Sequence, residues 1–214
     1  VEVVPIGVIP VYGRSADNLR DHRHVTSLLH RIQTTEYGVE VKPVLSFDER
    51  GHQKNNTTYF VYGSAENGEK PESFYPTVEA FIGEGGTFLN PEAVRTNKPG
   101  KTAGTKIQGK EAVGGLRFSR KTLKPKEAAG YILLSGTTKT SDSIALLTSG
   151  CRTKLQVQKM LEEVKEHWIQ KVNVAFETGN SDVDNYLKWI CFQPILRRIY
   201  GCSFLPYHDY GKGG

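Results

Sequence analysis

A mainly β chain with helices confined to its C-terminal third is what this sequence predicts, with an antiparallel β architecture up to about Thr137 and helices dominant after Ser149. Two patterns carry the prediction. Up to Thr137 the apolar residues fall in short, β-branched or aromatic runs punctuated by Gly and Pro; from Leu155 they recur every three or four residues. No repeat of useful period links the β runs, so a propeller or solenoid is not supported.

In chain order, Val1 to Val11 reads as a strand made irregular by Pro5, Gly7 and Pro10. The segment 13–24 is too polar for a core and is a loop with functional potential, in which Arg14, Asp17, Asp21 and Arg23 are placed to reach a neighbouring domain or subunit. Val25 to Phe47 reads as a hairpin about a Thr34–Gly38 turn, Asp48 to Asn56 as a charged loop, and Thr57 to Tyr62 as a strand. Ser73 to Gly83 is a short helix or irregular segment. Val113 to Thr122 and Ala128 to Thr137 are strands about a turn at Leu123–Glu127, and Gly130–Gly136 is expected to be the most buried strand of the chain. Ser141 to Ser149 is a short helix or turn.

Beyond it, Val157, Met160, Leu161, Val164 and Trp168 form one apolar face of a long helix whose other face carries Lys159, Glu162, Glu163, Lys165 and Glu166. A second helix starts at Ser181, a candidate cap, with Asp182 and Asp184 suited to the positive helix start. Its apolar stripe comprises Val183, Leu187, Ile190, Cys191, Ile195 and Ile199, with Pro194 expected to kink it. Trp168 and Trp189 are expected to be largely buried, and the stripe to be covered by the β part, by a second copy of the chain, or by the remainder of a larger protein.

Composition narrows the function classes. Lys+Arg 28 against Asp+Glu 23, with 22 Gly in 214 residues, describes an ordinary soluble polypeptide, and no apolar run approaches the ~20 residues that span a bilayer. The start has no signal-peptide layout, and the only Met is Met160; both ends are expected to be cut. Cys151, Cys191 and Cys202 are an odd number without CxxC spacing, which fits reduced thiols in a cytoplasm. The net charge of +5 is concentrated between Arg95 and Lys126, where ten basic residues face only Glu111. A single aromatic ring, Phe118, is too few for base stacking, so a solvated loop is the preferred reading and nucleic acid is not expected as a partner. His22 and His24 lack the third and fourth ligands of a zinc site, which favours a hydrogen-bonded polar cluster over a metal centre. The glycines of Phe81-Ile-Gly-Glu-Gly-Gly86 lack the Lys-Ser/Thr end of a phosphate loop and the GxGxxG spacing of a dinucleotide loop, leaving turn chemistry.

Three segments carry a family resemblance. Trp189-Ile-Cys-Phe-Gln193, then Arg198, then Ser203 resembles the run at which the inverting disaccharide phosphorylases, glycoside hydrolase family 94 (cellobiose and chitobiose phosphorylases), begin their helical barrel. Phe81-x-Gly83, Leu89-Asn-Pro91 and Ala93 resemble a segment late in that family's β-sandwich, and Leu123-x-Pro-x-Glu127 resembles the turn before its final strand. The resemblance implies a galactose-mutarotase-like supersandwich portion over 1–150, a linker helix and connection over 151–180, and the first helix of an (α/α)6 barrel over 181–214.

By implication the parent protein cleaves or transfers β-linked glucosyl disaccharides or oligosaccharides without a cofactor, using inorganic phosphate as co-substrate and giving a sugar 1-phosphate. A carboxylic acid protonates the glycosidic oxygen while phosphate attacks the anomeric carbon from the opposite face. The acid, an Asp in the family, lies on a later barrel loop outside this sequence. Arg198 and Ser203 match positions that contact phosphate and the first sugar; Tyr207 and His208, with Tyr210, are placed to stack on or hydrogen-bond a sugar. Cys202 departs from the pattern, standing where the family usually has an Arg. A thiol offers none of the paired, charge-assisted bonds of a guanidinium, which leaves phosphate and water both open as nucleophile. The partners implied are a saccharide, and either the rest of the parent polypeptide or a second copy. The alternative from a different class is a non-catalytic saccharide-binding β-sandwich module, which has little use for the helix from Ser181.

Overall fold

The computed structural model describes residues 1–13, 23–48, 51–139, 141–196, 198–199 and 202–203. Among these residues every strand pairing is antiparallel, and all strands but two short ones at the end precede the long helices. The chain divides into two compact units, Val1–Gln158 and Lys159–Gly214.

The first unit opens with β1 (Glu2–Val3) and β2 (Ile6–Val11), then α1 (Arg23–Leu28). A hairpin of β3 (His30–Thr34) and β4 (Gly38–Pro43) follows, turned by Thr35, whose backbone and hydroxyl both bond Gly38. The hairpin is where the sequence puts it, but its approach differs, because residues 23–28 are helical rather than extended. The predicted charged loop after it is a second hairpin, β5 (Leu45–Asp48) with β6 (Gly51–Lys54). Next come β7 (Thr58–Ala65), β8 (Ser73–Thr77), α2 (Val78–Ile82) and α3 (Glu92–Arg95). Thr77 caps α2 by accepting the Ala80 amide at 3.2 Å, and Gly83 closes the helix at φ 82, so the glycine-rich stretch is a turn. The unit continues with β9 (Lys106–Gln108), β10 (Ala112–Arg117), β11 (Lys121–Thr122), β12 (Tyr131–Thr138) and α4 (Ser141–Ser149).

Two sheets face each other across one core. A three-stranded sheet has the order β2-β10-β8, and a five-stranded sheet the order β12-β7-β4-β3-β9. Val11, Phe74, Ala112 and Leu116 of the first sheet pack on Ile32, Val39, Val41 and Val61 of the second. The outer faces are covered too. Val78 and Phe81 of α2 and Ala93 of α3 bury Tyr75 and Val113, while Ile144 of α4 buries Phe60 and Tyr62. Strands covered on both faces lose the apolar-polar alternation, and this accounts for β7 and β10, buried at almost every position.

β12 is different. Its run of Ile132, Leu133 and Leu134 promises deep burial, yet β12 is an edge strand in which burial alternates and Leu133 stays 39% exposed. An edge strand has a neighbour on one side only, so composition alone overstates its burial. β8 is also an edge strand, which is where a strand can hold Pro76 without losing a ladder bond.

The basic run is not a loop. It supplies β9, β10 and β11, and its cations meet carboxylates from distant parts of the chain: Lys110 with Glu79 at 2.8 Å, Arg120 with Glu2 at 2.9 Å, and buried Arg117 with Glu72 at 3.8 Å. The Asn97 side-chain oxygen also accepts from Arg117 at 2.6 Å.

α5 (Lys154–Lys171) begins in the first unit and continues into the second. Thr153 and Gln156 cap each other: the Gln156 amide donates to the Thr153 hydroxyl at 3.3 Å, and the Gln156 side chain accepts the Thr153 amide at 3.0 Å. In the second unit α6 (Ser181–Leu196) precedes two short strands, β13 (Arg198–Ile199) and β14 (Cys202–Ser203). Asn180 rather than Ser181 caps α6, its side-chain oxygen accepting the amides of Asp182 and Val183. Neither α5 nor α6 holds a buried residue, and Ile199, expected on the helical stripe, lies on a strand. Trp168 is half-buried and meets the Phe192 ring edge-on at 5.5 Å, whereas Trp189 is 56% exposed; neither is the buried indole the sequence suggests. No helix among the described residues is long and apolar enough to cross a membrane.

The two sheets come close together at Gly114, where a Cβ would stand 2.2 Å from the Val61 Cβ. Gly114→Val is therefore expected to lower stability by roughly 1–3 kcal/mol through overpacking, read as a lower urea midpoint at unchanged m value. Gly150→Ala, where an added Cβ meets nothing within 4 Å, should stay within about 0.5 kcal/mol of the parent.

Candidate functional site

Of the four residues singled out from the sequence, two fall on described backbone. Arg198 and Ser203 are directly opposed Cα partners in the β13–β14 ladder, with Ile199 opposite Cys202 beside them. Opposed residues in an antiparallel pair sit about 4.5–5.5 Å apart at Cα, so the backbone brings this arginine and serine together. Tyr207 and His208 lie outside the described residues, as do His22 of the His-x-His pair and Arg14, Asp17 and Asp21 of the polar loop.

On α6 the run Trp189–Gln193 occupies consecutive helical positions, which puts Trp189 and Gln193 one turn apart. The Nε2 of Gln193 is buried and meets no hydrogen-bond partner among the described residues. An amide nitrogen buried without an acceptor is costly, and helices rarely carry one unless something completes it. The helix start is fixed by Asp184, whose carboxylate accepts the Thr178 amide at 2.9 Å and hydroxyl at 2.8 Å.

The first unit carries two features with no mark in the sequence. One is a polar cluster around Tyr37. The Arg152 guanidinium lies 4.0 Å over the Tyr37 ring, and the Lys70 ammonium, bonded to Glu36 at 2.5 Å, approaches the same ring at 5.4 Å. Ser64 donates to the Arg152 carbonyl at 2.6 Å, tying the start of α5 to β7. Beside it the Tyr62 hydroxyl donates to Glu40 at 2.5 Å; burial first, and this bond second, push the phenol well above its ordinary value. The two hydrogen-bonded pairs, Tyr62 with Glu40 and Ser64 with Arg152, are 22 and 88 residues apart, and Arg152 lies farther still from Tyr37 along the chain, beyond any local signal.

The other is a pair of open grooves of about 460 and 560 Å3 that share Thr77, Glu79, Gly83, Glu84 and Lys110. The Lys110 ammonium holds the Glu79 carboxyl below its ordinary value through their hydrogen bond. An acid held ionised in this way is unsuited to donate a proton near neutral pH. Lys98 and Glu92 form a second, longer pair at 3.5 Å on the wall of the smaller groove. The two pairs set fixed charge along the groove walls. Among the described residues, no group of three or more His, Cys, Asp or Glu is arranged to hold a metal ion.

Tyr62→Phe removes a bond to a carboxylate and is expected to cost about 1.5–3 kcal/mol, measured by chemical denaturation. In the unsubstituted chain an alkaline absorbance titration should show at least one phenol, that of Tyr62, that does not ionise in the ordinary range until the fold is lost. A search against protein-family models finds no match to this chain, and a search of curated proteins finds none either.

Proposed function

We propose that this chain is part of a carbohydrate-active enzyme of the cellobiose and chitobiose phosphorylase kind, cleaving or forming β-linked glucosyl disaccharides or oligosaccharides by inverting phosphorolysis. The observation that carries the reading is the run Trp189–Gln193, Arg198 and Ser203, set after a β-rich part and a long helix in the order the family has them. In this reading the facing sheets of the first unit are the late part of a supersandwich, α5 is the linker helix and α6 the first helix of a barrel. Two further observations support it. Arg198 and Ser203 are cross-strand partners, close enough at the backbone to share one ligand, and the orphaned Gln193 amide suits a helix built to meet others.

The chemistry follows from the groups. Inorganic phosphate is an anion with several acceptor oxygens, and the guanidinium of Arg198 matches it with paired, charge-assisted N–H bonds. The Ser203 hydroxyl adds a neutral bond that serves phosphate or sugar. Tyrosine and histidine, at Tyr207 and His208, are residue types that stack on or hydrogen-bond a sugar ring. With phosphate held opposite the leaving group, a carboxylic acid supplied by a later barrel loop protonates the glycosidic oxygen, and attack at the anomeric carbon inverts it. Cys202 supplies no anion contact, so Arg198 carries phosphate with less help than in the family. A free thiol at Cys191 suits a cytoplasmic setting for this reaction.

The chain of residues 1–214 is expected to release no sugar 1-phosphate from cellobiose, chitobiose or laminaribiose with phosphate, because the acid is not in it. Continued through a barrel that supplies an Asp, the protein should release it, and Arg198→Ala there should cut kcat/KM on the order of 100-fold or more, mostly through weaker phosphate use. Turnover by residues 1–214 alone, or an Arg198→Ala enzyme with unchanged phosphate dependence, would overturn the proposal.

A further inference from the structure

Arg152, just ahead of α5, is fixed by its backbone and by the plane of its side chain, yet its hydrogen-bonding edge meets nothing. Its amide donates to the Gln156 side-chain oxygen at 3.0 Å, and its carbonyl accepts from the Ser64 hydroxyl of β7 at 2.6 Å. The guanidinium lies 4.0 Å over the Tyr37 ring. Stacking on an aromatic face sets the direction in which a guanidinium points its N–H groups.

Nε is buried without a hydrogen-bond partner, and among the described residues no acceptor bonds the terminal nitrogens and no carboxylate forms an ion pair with the group. A cationic donor left unanswered in a half-buried place is costly. Elsewhere in the unit Lys110, Arg117 and Arg120 each meet a Glu. Around Arg152 the acids are engaged with other groups: Glu36 bonds the Lys70 ammonium at 2.5 Å, and Glu40 accepts from the Tyr62 hydroxyl. Lys70 itself approaches the Tyr37 ring at 5.4 Å, so two cations gather on one ring.

We propose that the Arg152 fork is a binding site for a carboxylate group carried by a ligand, with Tyr37 holding the fork in place and Lys70 beside it. A carboxylate offers two oxygens that match two parallel guanidinium N–H bonds, and a pair of this kind is charge-assisted. Because the backbone and the side-chain plane of Arg152 are already set, little freedom is lost on binding. A doubly charged anion such as phosphate meets Glu36 and Glu40 as like charges, and repulsion of this sort is how a site rejects a close competitor. The cavity that Arg152 shares with Tyr37, Tyr62, Ser64 and Thr148 measures about 10 Å3, room for one water at most. The carboxylate is therefore met on the open side of the fork. A free small carboxylate and an acidic side chain of a peptide share this chemistry. The site lies in the first unit and needs neither Arg198 nor the phosphorylase reading.

An NMR titration of the 214-residue chain tests this. Sodium acetate, exchanged for sodium chloride at constant ionic strength, should move the Arg152 Nε–Hε signal and the Tyr37 ring signals along one saturating curve. The Nε–Hε signal of Arg120, which is paired with Glu2, should stay in place. Arg152→Lys keeps the charge and loses the fork, so on the Tyr37 signals it should weaken acetate binding on the order of tenfold. Glu36→Gln removes a like charge and should tighten it several-fold. A short capped peptide with one glutamate should saturate the same signals, and the tighter of the two probes identifies the source of the carboxylate. Three results overturn the proposal. One is no saturable movement in the unsubstituted chain, as when Glu36 or another acid of the chain turns onto Arg152. The others are sulfate matching acetate, the mark of a mere counter-ion, and Arg152→Lys binding acetate as tightly as the unsubstituted chain.

Discussion

The fold rests on how closely β10 comes to β7. Gly114 stands directly against Val61, and Gly115, on the other side of the same strand, against Tyr75. With no side chain at either position, the three-stranded and five-stranded sheets close on a thin layer of Val, Ile and Leu, while α2 and α3 close on the outer face. Apolar area removed from water on both sides of one strand stabilises it at about 25 cal/mol per Å2. The remaining strands take register from that contact: β2 and β8 pair with β10, and β4 and β12 with β7.

The same compactness organises the charges. Lys110, Arg117 and Arg120 lie in a stretch with one carboxylate of its own, yet each meets a Glu from elsewhere in the chain. Exposed pairs of this kind contribute little individually. Arg117 is the exception in kind, since it is buried and its bonds to Glu72 and Asn97 are what permit a cation there. A stretch that reads as a solvated basic loop thereby supplies β9, β10 and β11, with Lys110, Arg117 and Arg120 paired across the fold.

The second unit has the opposite character. α5 and α6 show leucines, valines and an indole to solvent, and their caps are complete. Capping makes a helix locally sound; it does not supply a core. Helices whose apolar faces belong against others have this character.

The sequence by itself determined the β-to-helix order, the Thr34–Gly38 hairpin, the glycine turn after Phe81 and the extents of α4, α5 and α6 to within a residue or two at each start, because turn chemistry and apolar period are local properties. It also brought Arg198 and Ser203 forward as a pair, through a resemblance rather than through spacing. Only the tertiary structure decided the rest. Whether an apolar strand is central or at an edge depends on its neighbours, so Tyr131–Thr138 looked more buried than it is, and the glycine-interrupted Ala112–Arg117 less. The Tyr37 cluster depends on residues as far apart as Tyr37 and Arg152, and no window along the chain contains both sides of such a contact.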